Sequence, residues 1–244
     1  MKKQYKEHFY KSRNKMTYNS ADQIIPVLFR VLNIPIVSAV DFGCGIGTWL
    51  AILLQHGVKD ILGIDGPWVD TESLEIPKEC YIRHDLNKEI KLDRKFDIAI
   101  SLEVAEHLPE GRAQSFIEDL SKASDIVLFS AAIPFQMGGN HINEQWQSYW
   151  AKHFSHFHYL PLDVIRPEIW ESDILPWYKQ NVILYVHEKK AKDLCLTLNH
   201  MPLSIVHPEL FLSKIGFAGD LKRVWKKFYK LLIRSILFKL GIQK

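Results

Sequence analysis

The sequence predicts an α/β domain built on a seven-stranded, mostly parallel β-sheet with a C-terminal antiparallel strand and helices on both faces. Short apolar segments alternate with segments of helical periodicity, which is typical of strand–helix–strand units. A glycine-rich segment lies directly between the first of these strands and the next helix. With 244 residues, 47% of them hydrophobic, the chain is long enough for one such domain and an appendage.

The expected elements follow one another in a regular order. A helix is expected to begin at Ser20, which forms a capping box with Gln23, while Pro26 predicts a kink or a later start. Five parallel strands are expected at residues 36–42, 60–65, 81–84, 96–102 and 125–131, with helices at 48–56 and 110–122. Residues 181–187 are expected to form the last strand, paired antiparallel with part of 157–164. The expected division is an N-terminal helical cap (1–35), the sheet domain (36–190) and a C-terminal extension (191–244).

The net charge of +3 is distributed unevenly along the chain. Residues 214–244 carry nine Lys or Arg and one acid, Asp220, so the remainder is mildly acidic and does not resemble a nucleic-acid-binding surface. Residues 220–244 predict a basic amphipathic helix, which would contact an anionic membrane surface, pack on its own domain or pair two subunits. Three scattered cysteines, a polar start and no long apolar segment favour the cytoplasm, including the inner face of the membrane.

Gly43, Gly45 and Gly47 lie after a predicted strand and before a predicted helix. Glycines at such a turn let the backbone approach a nucleotide-like ligand closely. A dinucleotide fingerprint would need a glycine where this chain has Thr48, which weakens that alternative. Asp65 ends the second predicted strand and is placed to accept both hydroxyls of a ribose.

The spacing Asp41-x-Gly43-x-Gly45-x-Gly47 resembles motif I of the class I methyltransferases that use S-adenosylmethionine (SAM), and the resemblance covers about residues 15–190. It implies a Rossmann-like methyltransferase domain over residues 36–190, with Asp41 near the methionine part of SAM and Asp85 accepting from the adenine amine. The residues expected to contact SAM are Asp41, Gly43, Cys44, Gly45, Gly47, Asp65, Gly66, Asp85, Leu86 and Leu102.

Two carboxylates and an imidazole follow the fourth predicted strand, at Glu103, Glu106 and His107. On one helical turn their side chains would converge, and two such carboxylates favour a cation between them. The Glu-x-x-Glu-His segment resembles the metal-binding segment of small-RNA 2′-O-methyltransferases and of ubiquinone-pathway O-methyltransferases. That resemblance implies a further ligand from the loop after the fifth strand, here His141, and a site for Mg²⁺, Mn²⁺, Fe²⁺ or Zn²⁺.

The same residues allow two other interpretations. One of them could cap a helix, another could face solvent, and His107 could contact the adenine side of SAM, without any metal. Alternatively, Glu103, His107 and His141 are the catalytic candidates, and a histidine would act as the general base when no metal is present.

Segments 63–70, 101–109, 130–134 and 141–146 resemble a bacterial methyltransferase group linked to surface-polysaccharide and other glycan assembly. The resemblance implies methyl transfer to a hydroxyl of a sugar or glycan vicinal diol, or of another small-molecule acceptor. Two alternatives stay open: a metal-independent N- or C-methyltransferase of a small metabolite, and a SAM-binding partner subunit that has lost catalysis.

Overall fold

The computed structural model describes residues 2–194, 203–215, 225 and 229, with only the backbone described for 2–14 and 215. Within this part of the chain seven strands form one sheet. The strands are β1 (Ser38–Phe42), β2 (Asp60–Asp65), β3 (Tyr81–Arg83), β4 (Ile98–Leu102), β5 (Ile126–Ser130), β6 (Tyr159–Leu162) and β7 (Ile183–His187).

The strand order is β3-β2-β1-β4-β5-β7-β6. β1 pairs in parallel with β2 and β4, β2 with β3, and β4 with β5. β7 runs antiparallel to both β5 and β6. The predicted sheet, mostly parallel with a C-terminal antiparallel strand, is confirmed.

Helices of the same compact unit cover both faces of the sheet. They are α1 (Lys2–Leu32), α2 (Thr48–Gln55), α3 (Ala113–Ala123), α4 (Gln147–Ser155), α5 (Arg166–Ile169), α6 (Pro176–Asn181) and α7 (Glu188–Asp193). A further helix, α8 (Pro208–Ile215), follows later in the chain. Alternate residues of β5 enter different cores: Ile126 and Leu128 pack in the core that includes α1 and α2, whereas Val127 and Phe129 pack in the core that includes α3 and α4. This alternation follows from the two-residue period of a strand.

The first helix differs from its expected bounds. Ser20 was expected to cap its start, but α1 runs from Lys2 to Leu32 and contains both Ser20 and Pro26. The buried Ser20 hydroxyl donates to the carbonyl of Met16, one turn earlier, and accepts from the amide of Leu175. The expected start at Ser20 is therefore wrong, because its hydroxyl bonds within the helix and to a neighbouring segment instead of capping.

The chain divides into two compact units, Met1–Ile205 and Val206–Lys244. The sheet and helices α1 to α7 belong to the first, and α8 belongs to the second. No described helix has both the length and the apolarity needed to cross a membrane. Cys195 and the expected helix at 220–244 lie outside the described residues, apart from Trp225 and Tyr229. The three-part division at residues 35 and 190 stays a prediction.

Five parallel strands end at the same edge of the sheet, and the candidate site lies there. Gly43 follows β1, Asp65 ends β2 and Glu103 follows β4. The amide of Glu103 donates to the carbonyl of Ser130, the last residue of β5, over 3.0 Å. Ligands of open α/β sheets bind at this carboxyl edge.

Candidate cofactor and metal site

The turn between β1 and α2 has a backbone that only glycine adopts readily. Gly43 and Gly47 both have φ of 90°. A Cβ on Gly43 would lie 2.3 Å from Val104 Cγ2, and a Cβ on Gly47 would lie 2.8 Å from Ile76 Cγ1. Both the conformation and the space therefore require glycine at these two positions.

Two carboxylates meet at this turn. Asp65 Oδ2 accepts from the amide of Gly45 over 2.7 Å, and Asp65 Oδ1 accepts from the amide of Gly66 over 2.6 Å. Burial raises the pKa of Asp41 well above its usual value, and the charge of Asp65 raises it further. A positively charged ligand would relieve this repulsion, and SAM carries both a sulfonium and an ammonium group.

A cavity of about 430 Å³ opens beside the glycine turn, within the size range of small-molecule sites. The side chains and backbone that line it are Gly43, Asp65, Trp68, Leu86, Asn87, Glu103, Val104, His107, Leu108, Gly139 and Asn140. Gly43, Asp65 and Leu86 were expected to contact SAM, and Glu103 and His107 were expected at the reaction centre. Trp68, Asn87 and Val104 were not identified from the sequence, because no spacing signal marks a residue that enters a site from a loop.

Several expected SAM contacts lie beside this cavity instead of lining it. Asp85 Oδ1 accepts from the amide of Asn87 over 3.1 Å and from its side-chain nitrogen over 2.8 Å. These hydrogen bonds lower the pKa of Asp85. Cys44 is buried, which raises the pKa of its thiol and keeps it neutral. Leu102 is buried at the end of β4.

Three residues with metal-ligating side chains converge next to the cavity: Glu106, His107 and His141. One ligand atom from each lies within 4.8 Å of the other two. Glu106 Oε1 lies 4.0 Å from His141 Nε2, and the two imidazole rings meet edge to face with centroids 4.8 Å apart. The structure therefore brings together three of the four residues that were expected to bind metal.

Glu106 is fully buried, with an exposed fraction of 0%. Among the described residues, neither oxygen of its carboxylate has a partner at hydrogen-bond geometry. Burial raises the pKa of Glu106 well above its usual value, and the charge of Glu103 raises it further, while the backbone amides of Glu106 and Ala132 oppose the shift. A buried carboxylate with so little compensation requires either a proton or a cation.

Glu144 fixes the orientation of His141. Its Oε1 lies 2.8 Å from His141 Nδ1, which leaves Nε2 on the side of Glu106. Glu144 also accepts from the amides of Phe135 and Met137, so it holds the whole loop. A Cβ on Gly138 would lie 2.0 Å from His141 Nε2, and glycine is therefore needed there too. A carboxylate that orients an imidazole in this way is typical of metal sites.

Glu103 lies outside the three-residue cluster. The expected helical turn is a 3-10 turn at Ala105–His107, preceded by Glu103 with φ of 58°. Its Oε1 accepts from the side-chain amide of Asn181 over 3.0 Å, and its Oε2 accepts from that of Gln136 over 2.8 Å. Both oxygens are thus occupied by amides, and the convergence expected from helical spacing does not occur for this residue.

Comparisons with known proteins agree with this fold. A family model described as a methyltransferase domain matches residues 15–171, more than half of the chain. No curated protein matches the sequence. Solved structures match in fold at 13–18% identity.

Three of these solved structures illustrate the range of TM-score, identity and coverage. The small RNA methyltransferase HEN1 superposes with a TM-score of 0.51 and 17% identity, over 69% of this chain and only 25% of HEN1. The magnesium protoporphyrin IX methyltransferase of Synechocystis PCC 6803 was solved with bound SAM. It superposes with a TM-score of 0.52 and 18% identity, over 70% of this chain and 80% of the methyltransferase chain. DesVI of Streptomyces venezuelae superposes with a TM-score of 0.55 and 13% identity, over 77% of this chain and 98% of DesVI.

Proposed function

The chain belongs to the SAM-dependent methyltransferases, and on that premise we propose that it methylates a hydroxyl group with the help of a divalent metal ion. Glu106, His107 and His141 would hold the ion beside the cavity that receives SAM. The acceptor would be a vicinal diol of a sugar or glycan. The buried carboxylate of Glu106, which has no partner at hydrogen-bond geometry among the described residues, is the observation that carries the proposal.

The chemistry of the donor set fits a metal. One carboxylate and two imidazoles leave coordination positions for the acceptor, and this mixed donor set favours Mn²⁺, Fe²⁺ or Zn²⁺ over Mg²⁺. When bound, the ion would lower the pKa of a coordinated hydroxyl and hold it in place. Glu144 would keep Nε2 of His141 turned toward the ion.

The remaining residues would orient the methyl donor. The sulfonium methyl of SAM is already a good electrophile, so alignment with the hydroxyl is the main requirement. Asp65 and the backbone of the glycine turn would position SAM, and His107, which lines the SAM cavity, would mark where the methyl group is transferred. Glu103 would act as a fixed hydrogen-bond acceptor at the cavity wall.

Metal binding can be tested without knowing the acceptor. We expect the metal-free protein to bind Mn²⁺ or Zn²⁺ in calorimetry, and Glu106→Gln to weaken binding by about tenfold or more, since the loss of even an indirect partner costs that much. His158→Asn is the matched control, because His158 lines a different cavity and its φ of 61° suits asparagine. Unchanged binding by Glu106→Gln, or equal weakening in both variants, would refute the metal site.

The reaction is tested by mass spectrometry of a bacterial glycan extract incubated with the enzyme and SAM. We expect methylation to stop after chelation and to return when the metal is restored. Methylation of a small metabolite at nitrogen or carbon, indifferent to chelation, would favour the alternative of a metal-independent methyltransferase. SAM binding without any transfer would favour a non-catalytic partner subunit.

The proposed location is the cytoplasm, with contact to the inner membrane face through residues 220–244. The support is the basic and apolar pattern of that segment. Deleting residues 220–244 is expected to abolish co-sedimentation with anionic liposomes. Co-sedimentation that survives the deletion would contradict this part of the proposal.

A further inference from the structure

The loop that follows β5 exposes large apolar side chains beside the metal cluster. Phe135 is 83% exposed, Met137 is 59% exposed and Ile142 is 65% exposed. We call Phe135, Met137 and Ile142 the apolar rim. Isolated exposed apolar residues are common, but three within eight residues next to a reaction centre indicate a binding surface.

Two members of the apolar rim, Met137 and Ile142, line a second cavity. This cavity, of about 400 Å³, is lined by Met137, Gly138, His141, Ile142 and Glu144. The SAM cavity is lined by His107 on the other side. Because the rings of His107 and His141 touch, the metal cluster forms part of the wall between the two cavities.

Hydrogen bonds hold the backbone of this loop in place. The exposure of its apolar side chains therefore does not result from a lack of ordered structure. Glu144 accepts from the amides of Phe135 and Met137, and the amide of Ile142 donates to the carbonyl of Glu106. Phe135 and Met137 have φ of 67° and 60°, which bulky residues rarely adopt. Such conformations persist where surrounding contacts fix them, and they are concentrated at ligand sites.

We propose that the acceptor carries an apolar group, an alkyl chain or an aromatic ring, next to the hydroxyl that is methylated. The apolar group packs on Met137 and Ile142 in the second cavity, and the hydroxyl reaches His141. The placing of the hydroxyl rests on the proposed function, but the binding of an apolar group does not. A cavity that lies beside His141 and is lined by two apolar side chains fits a small amphiphilic acceptor.

The methionine methyl groups provide the test. The chain has four methionines, and Met137 lies in the apolar rim, while Met16, on α1, is 54% exposed and serves as an internal control. In protein carrying ¹³C-methyl methionine, the Met137 signal is assigned by its absence from Met137→Leu. The probes are n-octyl and phenyl β-D-glucopyranoside, with methyl β-D-glucopyranoside as the control, and the octyl compound is kept below its micelle concentration.

We expect an octyl or phenyl glucoside to shift the Met137 signal saturably, while the methyl glucoside does not. Comparing the octyl with the phenyl glucoside shows whether the site prefers an alkyl chain or an aromatic ring. Ile142→Ser should weaken binding by about tenfold, since it removes an apolar side chain that lines the second cavity. Val37→Ser is the matched control, because Val37 is exposed on the segment before β1.

Three results would overturn the proposal: a Met137 signal that no apolar probe moves, equal shifts at Met16, or an equal response to the methyl glucoside. SAM and Mn²⁺ titrations of the same sample keep the two proposals apart. A shifted Met137 without metal binding would preserve the apolar site and refute the metal. Metal binding with an unshifted Met137 signal would preserve the metal site and refute the apolar site.

Discussion

Replacing Gly43 with alanine is expected to lower the free energy of unfolding by about 2–5 kcal/mol. Two penalties contribute to this figure. A φ of 90° places an L-residue in the left-handed region, at a cost of roughly 1–2 kcal/mol. The new Cβ would also lie 2.3 Å from Val104 Cγ2, and overpacking of this kind costs about 1–3 kcal/mol.

Two other alanine variants separate these penalties. Gly45 has φ of 56°, and a Cβ added there would meet no atom of the described residues within 4 Å, so Gly45→Ala should show the conformational cost of roughly 1–2 kcal/mol alone. Gly111 has neither feature, so Gly111→Ala should stay within about 0.5 kcal/mol of the parent. Urea unfolding measures the series, and calorimetry with SAM should show weakened binding for Gly43→Ala, since Val104 lines the cavity.

The reasoning fails if Gly43→Ala is as stable as Gly111→Ala. It also fails if the double-mutant cycle with Val104→Ala shows no coupling, because the overlap at Val104 requires a coupling free energy of about 1–3 kcal/mol. Equal losses for Gly43→Ala and Gly45→Ala would show that the backbone conformation, and not the contact, sets the requirement for glycine.

Further predictions concern the loop after β5, the buried ion pair of Arg112 with Asp119, and the effect of Mn²⁺ on stability. Gly138→Ala should displace His141 and weaken Mn²⁺ binding in calorimetry by about tenfold, whereas Gly139→Ala, which meets no atom within 4 Å, should not. Asp119→Ala should cost about 3–5 kcal/mol in urea unfolding, because it leaves the buried Arg112 without its ion-pair partner; a loss below about 1 kcal/mol would contradict this. Mn²⁺ at a hundred times its Kd should add about 2.7 kcal/mol of stability, and an unchanged melting temperature would refute specific binding.

The fold followed from patterns that are local in sequence. Apolar segments of strand length, alternating with helical segments, specify a parallel sheet because both faces must be buried. The glycine turn and Asp65 were found for the same reason, since ligands bind where strands end. The start of α1 was not found, because a serine that resembles a cap can also bond inside a helix, as Ser20 does.

The candidate site could be predicted only in part. Glu106, His107 and His141 were grouped correctly, but the side chain of Glu103 was not. A left-handed conformation of a glutamate has no sequence signature, and its partners Gln136 and Asn181 lie 33 and 78 residues away along the chain. Amide side chains that meet only in three dimensions leave no periodicity to detect.

The hydrogen bonds of Glu144 fix part of the loop after β5 and leave other side chains of that loop unconstrained. Its carboxylate holds the backbone of Phe135 and Met137 together with the ring of His141, while the side chains at 135, 137 and 142 extend into solvent. These three side chains can therefore be exchanged without moving the imidazole. Under the proposed function, substitutions at the apolar rim would change the acceptor, while Glu144 and Gly138 would keep the imidazole in place.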